Sequence, residues 1–428
     1  MLLSLSAFGQ GFGKTAAFIG AATAKTSTAA VPFTVEVVTT GVNETFVIVV
    51  NTATNLSVSW GNTTSTNVNS SASSISLTNT YAAAGTYNIT IAGATKGMVF
   101  GNNAATQGRL KRVLTPMVGI AGITTLASMF TSCTGLYWMP SDMISTLTNV
   151  TSLDQTWVSC SAATNFPAVN TLTNVNTLYG TWYNCSAATN FPAVSNLTLV
   201  NTLYYTWRDC SKMVNPPAVN TLTNVNTLYY TWYNCYATTN FPAVSNLTLV
   251  NSLYSTWSSC SKMISPPEVN TLTNVRTLES TWESCSAATN FPAVSNLTLV
   301  NTLNATWYRC SAATNFPAVS NLTLVNTLNY TWYGCNNMVD PPFVNTLTNV
   351  NTLYSAWYGC SKMTNCPTIT ASTLITNANY AYQNCTALIG ASSGLYNVGN
   401  FPNIINFTSC YNGCTLLSDY ASIPTAWK

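Results

Sequence analysis

Apolar positions after about residue 115 return on a fixed 25-residue frame. Nine tryptophans carry it: Trp157, Trp182, Trp207, Trp232, Trp257, Trp282, Trp307, Trp332 and Trp357. Each is followed three residues later by a cysteine, giving Cys160, Cys185, Cys210, Cys235, Cys260, Cys285, Cys310, Cys335 and Cys360. A period of this size means that one supersecondary unit stacks on copies of itself, because no single unit buries its apolar face alone. The pattern therefore predicts a repeat solenoid whose Trp and Cys positions form an internal ladder.

Within one repeat, Leu178, Thr181, Trp182 and Cys185 fall at i, i+3, i+4 and i+7, the spacing of one helix face, and predict about two helical turns directed inward. The quartet recurs as Leu203, Thr206, Trp207 and Cys210, and in an early form as Leu126, Met129, Phe130 and Cys133. The other half of the repeat, TNFPAV or VNPPAV, is too short for a helix. Pro167, Pro192 and Pro217 remove ladder donors from it, so it predicts a very short extended segment with few bonds between coils. The Asn and Thr of the intervening NTLT and SNLT segments suit caps for the helix that follows.

Residues 32 to about 95 follow a different rhythm. FTVEVV, TFVIVV and LSVSW alternate apolar with polar residues and are separated by Gly and Asn clusters, which predicts short antiparallel strands in a small all-β sandwich. Trp60-Gly61-Asn62, followed by Thr80-Tyr81 and Gly85-Thr86-Tyr87, resembles the PKD-type immunoglobulin-like domain, with Asn62 in place of that family's acidic residue and its histidine missing. Farther on, Asn174-Val175-Asn176-Thr177-Leu178-Tyr179-Gly180-Thr181-Trp182-Tyr183-Asn184-Cys185 resembles the signature of BspA-like surface leucine-rich repeats. That likeness covers roughly residues 115–410 in about eleven copies. It implies a leucine-rich-repeat-like solenoid, with a short strand plus a short helix per coil, in a surface adhesin or fibre protein. At a strand-like spacing of about 4.8 Å per coil, the stack would be roughly 55 Å long.

These readings divide the chain into an attachment segment (1–31), the PKD/Ig-like sandwich (32–100), transition and cap coils (101–156), the repeat body (157–410) and a C-terminal cap (411–428). The first thirty residues hold a short apolar start with no basic residue before it, so a secretory signal is poorly formed. Twelve of the fourteen cysteines, Cys133, Cys160 through Cys385 at every 25th residue, and Cys410, occupy one equivalent position and predict a buried column of free thiols, since stacked side chains pointing the same way disfavour disulfide geometry. Cys366 and Cys414 are the off-column candidates for pairing.

Composition narrows the function. Only 5% of residues are charged, the net charge is +3, and there is no histidine. No basic stripe is available for nucleic acid, and no apolar run reaches the roughly 20 residues of a membrane span. Catalysis is not expected: the acidic residues are scattered over separate coils, and Glu279 and Glu283 read as an exposed repulsive pair at i and i+4. Neither a metal site nor a cofactor is expected, because no CxxC spacing or histidine supports one.

Between coils, the two residues before the Thr-Trp pair and the two after the Trp vary against a nearly constant background. Their composition of Tyr, Asn, Ser and Gly is that of adaptable binding surfaces, although drift at exposed positions also accounts for the variation. The candidate outer stripe comprises Tyr179, Tyr183, Tyr204, Tyr205, Arg208, Tyr229, Tyr230, Tyr233, Tyr254, Tyr308, Tyr330, Tyr333, Tyr354 and Tyr358. A non-enzymatic structural or adhesive role follows, in one of three settings: a phage fibre or other virion appendage, a bacterial cell-surface adhesin, or a self-assembling extracellular filament. Expected partners are virion or envelope proteins through residues 1–31, a host-surface glycan or protein, and further copies in an oligomer or larger assembly. The corresponding location is the virion surface, or alternatively the cell surface.

Overall fold

The computed structural model describes residues 31–101 and 103–428, which form one compact unit. The attachment segment expected at residues 1–31 therefore lies, up to residue 30, outside the described residues. Strand β1 (Phe33–Thr39) directs Phe33, Val35 and Val37 into the core, as its alternation requires. With β2 (Glu44–Asn51), β3 (Ala53–Ser59), β4 (Ser65–Ser70), β5 (Ile75–Tyr81), β6 (Gly85–Ala94) and β7 (Gly97–Val99) it builds two sheets. One runs β5-β2-β7. The other runs β4-β3-β6-β1-β8 and recruits β8 (Leu110–Val113) from beyond the expected boundary; β9 (Ile120–Ala121) pairs in parallel with the end of β6.

The motif residues of the sandwich are structural. Trp60 is buried, its Nε1 donates to Thr66 Oγ1 at 2.9 Å, and its carbonyl accepts from the buried Tyr81 hydroxyl at 2.9 Å. Gly61 is required at this corner: its φ is +77°, and a Cβ there would stand 2.7 Å from the Asn88 carbonyl oxygen. Glu36, nearly buried on β1, is held by the Arg112 guanidinium of β8, which lowers its pKa. Glu44 is held by the Thr40 backbone N–H and by Arg109.

The sandwich passes directly into the repeats. Phe100 stacks on Phe130 at 5.5 Å between ring centroids and 6° between planes, and Phe100 N–H donates to the Met129 carbonyl. A Cβ on Gly101 would lie 1.5 Å from the Thr131 carbonyl oxygen, so only glycine permits this junction. Phe130 then meets Trp157, and the nine indoles follow at centroid separations of 5.5 to 6.1 Å, all within 11° of parallel. Tyr382 and Tyr411 continue the column. All nine Trp and their nine paired Cys are fully buried, as the period predicts.

Adjacent coils are joined at matched positions. The Asn201 N–H donates to the Asn176 carbonyl, Asn226 to Asn201, and Asn251 to Asn226, each at 3.0 Å and each 25 residues apart. The opposite polarity is used at the indoles: Trp182 N–H donates to Thr206 C=O, Trp207 to Thr231, and Trp232 to Thr256. Buried side chains add two further recurring ties. Thr181 Oγ1 donates to the Leu153 carbonyl at 3.0 Å, and Cys185 Sγ to the Trp157 carbonyl at 3.0 Å. The threonine tie recurs from Thr156 to Thr331 and ends where Ala356 and Ala381 replace it. The proline-containing halves contribute little, with isolated bridges at Asn190–Asn215 and Asn240–Ser265.

One predicted element is corrected. The Leu-x-x-Thr-Trp-x-x-Cys segments are not helices; among the described residues the helical pieces are Ala104–Gln107 and three 3-10 turns, at Met117–Gly119, Tyr420–Ser422 and Thr425–Trp427. Instead Leu178–Thr181 and Trp182–Cys185 are consecutive four-residue turns, closed by Thr181 N–H to Leu178 C=O and Cys185 N–H to Trp182 C=O. The third residue of each has positive φ, +57° at Gly180 and +59° at Asn184, as in type II turns. Two successive tight turns produce the same i, i+3, i+4, i+7 spacing as a helix face. The intervening N–H groups are released to the next coil, where Gly180 donates to Tyr204 and Asn184 to Arg208.

The end of the cysteine column is also corrected. Tyr382 N–H donates to Cys410 C=O, Tyr382 stacks on Tyr411, and Cys414 Sγ donates to the Tyr382 carbonyl, so Cys414 rather than Cys410 continues the column. All fourteen thiols are free, Cys366 and Cys414 included. The end of the stack is closed by Phe407 against Trp427 at 4.5 Å and by Asp419, which accepts from Ser392 N–H, Ser392 Oγ and the Tyr396 hydroxyl. Burial raises the Asp419 pKa, but these donors outweigh it and the net shift is downward.

Truncating Trp232 to Ala should cost about 3–5 kcal/mol, because it opens a cavity shared by two coil interfaces; chemical denaturation of the full chain measures this. Glu36, Glu44 and Asp419 all have pKa values lowered by folding. Their contribution is complete above the ordinary carboxylate range and is lost as the pH falls through the lowered values. Unfolding followed across pH 6 to about 2 should therefore show stability decreasing on the acid side, and Glu36→Gln should flatten that dependence.

Candidate functional surface

Four variable positions per coil, those of Tyr179, Gly180, Tyr183 and Asn184, make up the candidate stripe, and the turn geometry assigns two of them a backbone role. The Gly180 position has positive φ in Tyr205, Tyr230, Ser255, Ser280, Ala305, Tyr330 and Ser355. The Asn184 position has it in Asp209, Asn234, Ser259, Ser284, Arg309, Gly334 and Gly359. Asn, Asp, Ser and Gly at the second set thus answer a left-handed backbone, rather than constituting the recognition surface that composition alone suggested. The tyrosines at the first set are different. Tyr205, Tyr230 and Tyr330 hold bulky side chains at φ of 52° to 59°, at a cost of about 1–2 kcal/mol each.

Ring contacts offset that cost. All fourteen stripe residues are half-buried, and they gather into two clusters. In the first, Tyr179, Tyr204, Tyr229 and Tyr254 form a row with centroids 5.2, 4.8 and 4.6 Å apart. Tyr205 packs against Tyr204 at 4.0 Å and against Tyr230 at 5.3 Å. The Arg208 guanidinium lies 5.4, 4.9, 4.9 and 5.0 Å from the ring centroids of Tyr183, Tyr205, Tyr230 and Tyr233. Asp209 neutralises it through a 3.2 Å ion pair and also accepts from Asn234 Nδ2. This cage is complete without a ligand.

The second cluster is open. Tyr308, Tyr333 and Tyr358 stack at 4.7 and 4.6 Å, and Tyr330 meets Tyr354 at 5.1 Å. Between the clusters, Ser255 and Ser258 are buried and Glu279 accepts from Asn304 Nδ2 at 3.0 Å. Glu279 and Glu283 are half-buried on a turn, so the helix-face pairing expected of them does not apply. Beside the Tyr308–Tyr333–Tyr358 stack lies a groove of about 520 Å³ lined by Ser284, Ser286, Arg309, Ser311, Tyr333, Asn336 and Tyr358, and by Gly334 and Gly359. Arg309 was visible in the sequence only as one variable residue. The available signal was two successive glycines at the Asn184 position next to a cation.

The reactive groups are quiet. Burial raises the Cys160, Cys185 and Cys210 thiols well above their ordinary pKa, and pushes Cys414 up to about 12. Burial and the Tyr354 hydroxyl push Tyr330 up to about 12; burial and Tyr205 likewise raise Tyr204. Among the described residues, no three Cys, Asp or Glu side chains converge as metal donors, and no helix is long and apolar enough to cross a membrane.

No protein-family model and no curated protein matches the chain. Among solved structures, the crystal structure of a TLR13–ssRNA13 complex is similar at 9% identity and a TM-score of 0.17, covering 65% of this chain. The match spans 46% of that chain, about half its length. A likeness this weak carries no functional argument.

Arg208→Ala should destabilise the chain by about 1–2 kcal/mol through loss of its cation–π contacts, measured by denaturant unfolding. A thiol reagent at pH 8 should leave the column cysteines of the native chain unmodified, with half-buried Cys366 the first to react, and full labelling only in denaturant; counting labelled sites by mass spectrometry checks this.

Proposed function

We propose that this chain is a non-enzymatic structural and adhesive protein, in which a leucine-rich-repeat-like solenoid behind a PKD-like sandwich presents a tyrosine-rich stripe to a partner surface. The observation that carries the reading is that stripe: two clusters of half-buried tyrosines held on a ladder of closely matched coils, on a chain with 5% charged residues. Rigid aromatic rings give contact area at low entropic cost, and their neutral hydroxyls add polar contacts without net charge.

The setting favoured is a virion fibre or appendage, anchored through residues 1–31 and oligomeric in the particle. Fourteen free thiols support it. Cysteine-rich chains that mature in oxidising compartments ordinarily form disulfides, whereas a chain folded in a reducing cytosol and then packaged keeps its thiols. The resemblance to BspA-like repeats favours the second setting, a bacterial cell-surface adhesin. Mass spectrometry of purified virions and of washed cell envelopes separates the two. Enrichment with particles is the expected result, enrichment in envelopes supports the adhesin, and recovery only in the soluble cytosolic fraction overturns both.

A further inference from the structure

Arg208 of the stripe and Arg309, at a variable position outside it, stand in opposite states. Arg208 is enclosed by four rings and neutralised by Asp209, whereas Arg309 is exposed, in contact with Tyr308 at 5.1 Å and Tyr333 at 5.9 Å. Among the described residues the ion pairs are Arg109–Glu44, Arg112–Glu36 and Arg208–Asp209, so Arg309 has no carboxylate partner. Glu283, one coil earlier, is the nearest acidic position along the stripe and forms none of these pairs. Gly334 and Gly359 stand where other coils carry Asn184, Asn234 and Asn384: a Cβ on Gly334 would press on the Arg309 Cγ at 3.3 Å, whereas one on Gly359 would meet only Asn336 Oδ1 and Gly334 Cα at 3.9 Å, so the groove beside Arg309 is kept open at Gly359.

We propose that this groove is a binding site for a carboxylate-bearing oligosaccharide, with Arg309 receiving the sugar carboxylate. The proposal rests on the surface-attachment reading and names its ligand class. A guanidinium fork matches a carboxylate in two parallel hydrogen bonds. The hydroxyls of Ser284 and Ser311 line the same groove and suit the hydroxyls of a saccharide, while the Ser286 hydroxyl, held by the Ser261 carbonyl, and the Asn336 amide, whose N–H groups are held by the Gly334 and Gly359 carbonyls, leave acceptor oxygens for it. Tyr333 and Tyr358, 4.6 Å apart, give its wall an apolar body with polar tips, which fits the alternating C–H and O–H character of a sugar. The groove volume of about 520 Å³ is within the range of small-ligand sites.

The test uses the full chain and calorimetric titration with tetragalacturonate, 3′-sialyllactose, maltotetraose and a κ-carrageenan tetrasaccharide, which is sulfated but carries no carboxylate. A carboxylated sugar should bind, with its two forms, a linear uronate or a terminal sialic acid, separated by the first two probes. Maltotetraose should bind at least about tenfold more weakly. Arg309→Gln should weaken carboxylate binding by about tenfold or more. Gly359→Asn should do the same by filling the groove with a residue already used at that turn position, while both variants keep the thermal unfolding profile of the parent chain. Equal affinity for maltotetraose, undiminished binding by Arg309→Gln, or binding of the sulfated probe alone overturns the proposal. If none of the sugars binds while the protein is found on particles or envelopes, the glycan site fails and the attachment reading stands.

Discussion

Everything in the repeat body depends on keeping one coil in register with the next. The two faces of an indole such as Trp232 are covered from the neighbouring coils, by Trp207 and Trp257 at centroid separations of 5.8 Å on either side, while Phe241 meets it edge-on. The hydrogen bonds impose the same requirement, because the coil's own turns use only some of its backbone groups and leave the others directed at its neighbours. The Asn ladder, the Trp N–H groups, the Thr hydroxyls and the Cys thiols all close on positions fixed by the repeat length. The Nε1–H groups of the nine stacked indoles are buried and meet no protein acceptor among the described residues.

The surface is shaped by the same turns. Alternating closed turns and released N–H groups oblige two residues per coil to take a left-handed backbone, and this decides which side chains occupy the exterior. Where those positions accept Asn, Ser or Gly the backbone is relaxed. Tyr205 and Tyr230 are retained there by rings packed around Arg208. Gly334 and Gly359 meet the identical backbone demand, and Gly359 leaves room above it, so one conformational rule yields a filled cage in one region and an open groove in another.

This explains which parts of the chain were legible before the structure. Trp182 and Cys185 were readable as core, because a period of large apolar residues has one economical explanation. The alternation in Phe33-Thr34-Val35 likewise announced a strand. The turns were hidden because Leu178, Thr181, Trp182 and Cys185 have a spacing shared by a helix face and a pair of tight turns. The final coil was misread because Cys410 and Cys414 both offer a thiol, and only the stacking of Tyr382 on Tyr411 selects between them. The groove at Arg309 combines residues from successive coils, so it emerges only once the coils are placed side by side.

The ties between coils also give the stack a graded mechanical strength. Tension along its axis is carried through the coil interfaces in series, so the weakest interface sets the limit. From Thr156 to Thr331 each interface includes a buried threonine hydroxyl bonded across it; Ala356 supplies none, and in the Ala381 coil the tie is made instead by the buried Ser372 hydroxyl to the Leu347 carbonyl. Under load the chain should part first toward its C-terminal coils, leaving the sandwich and the tyrosine clusters around Arg208 in place.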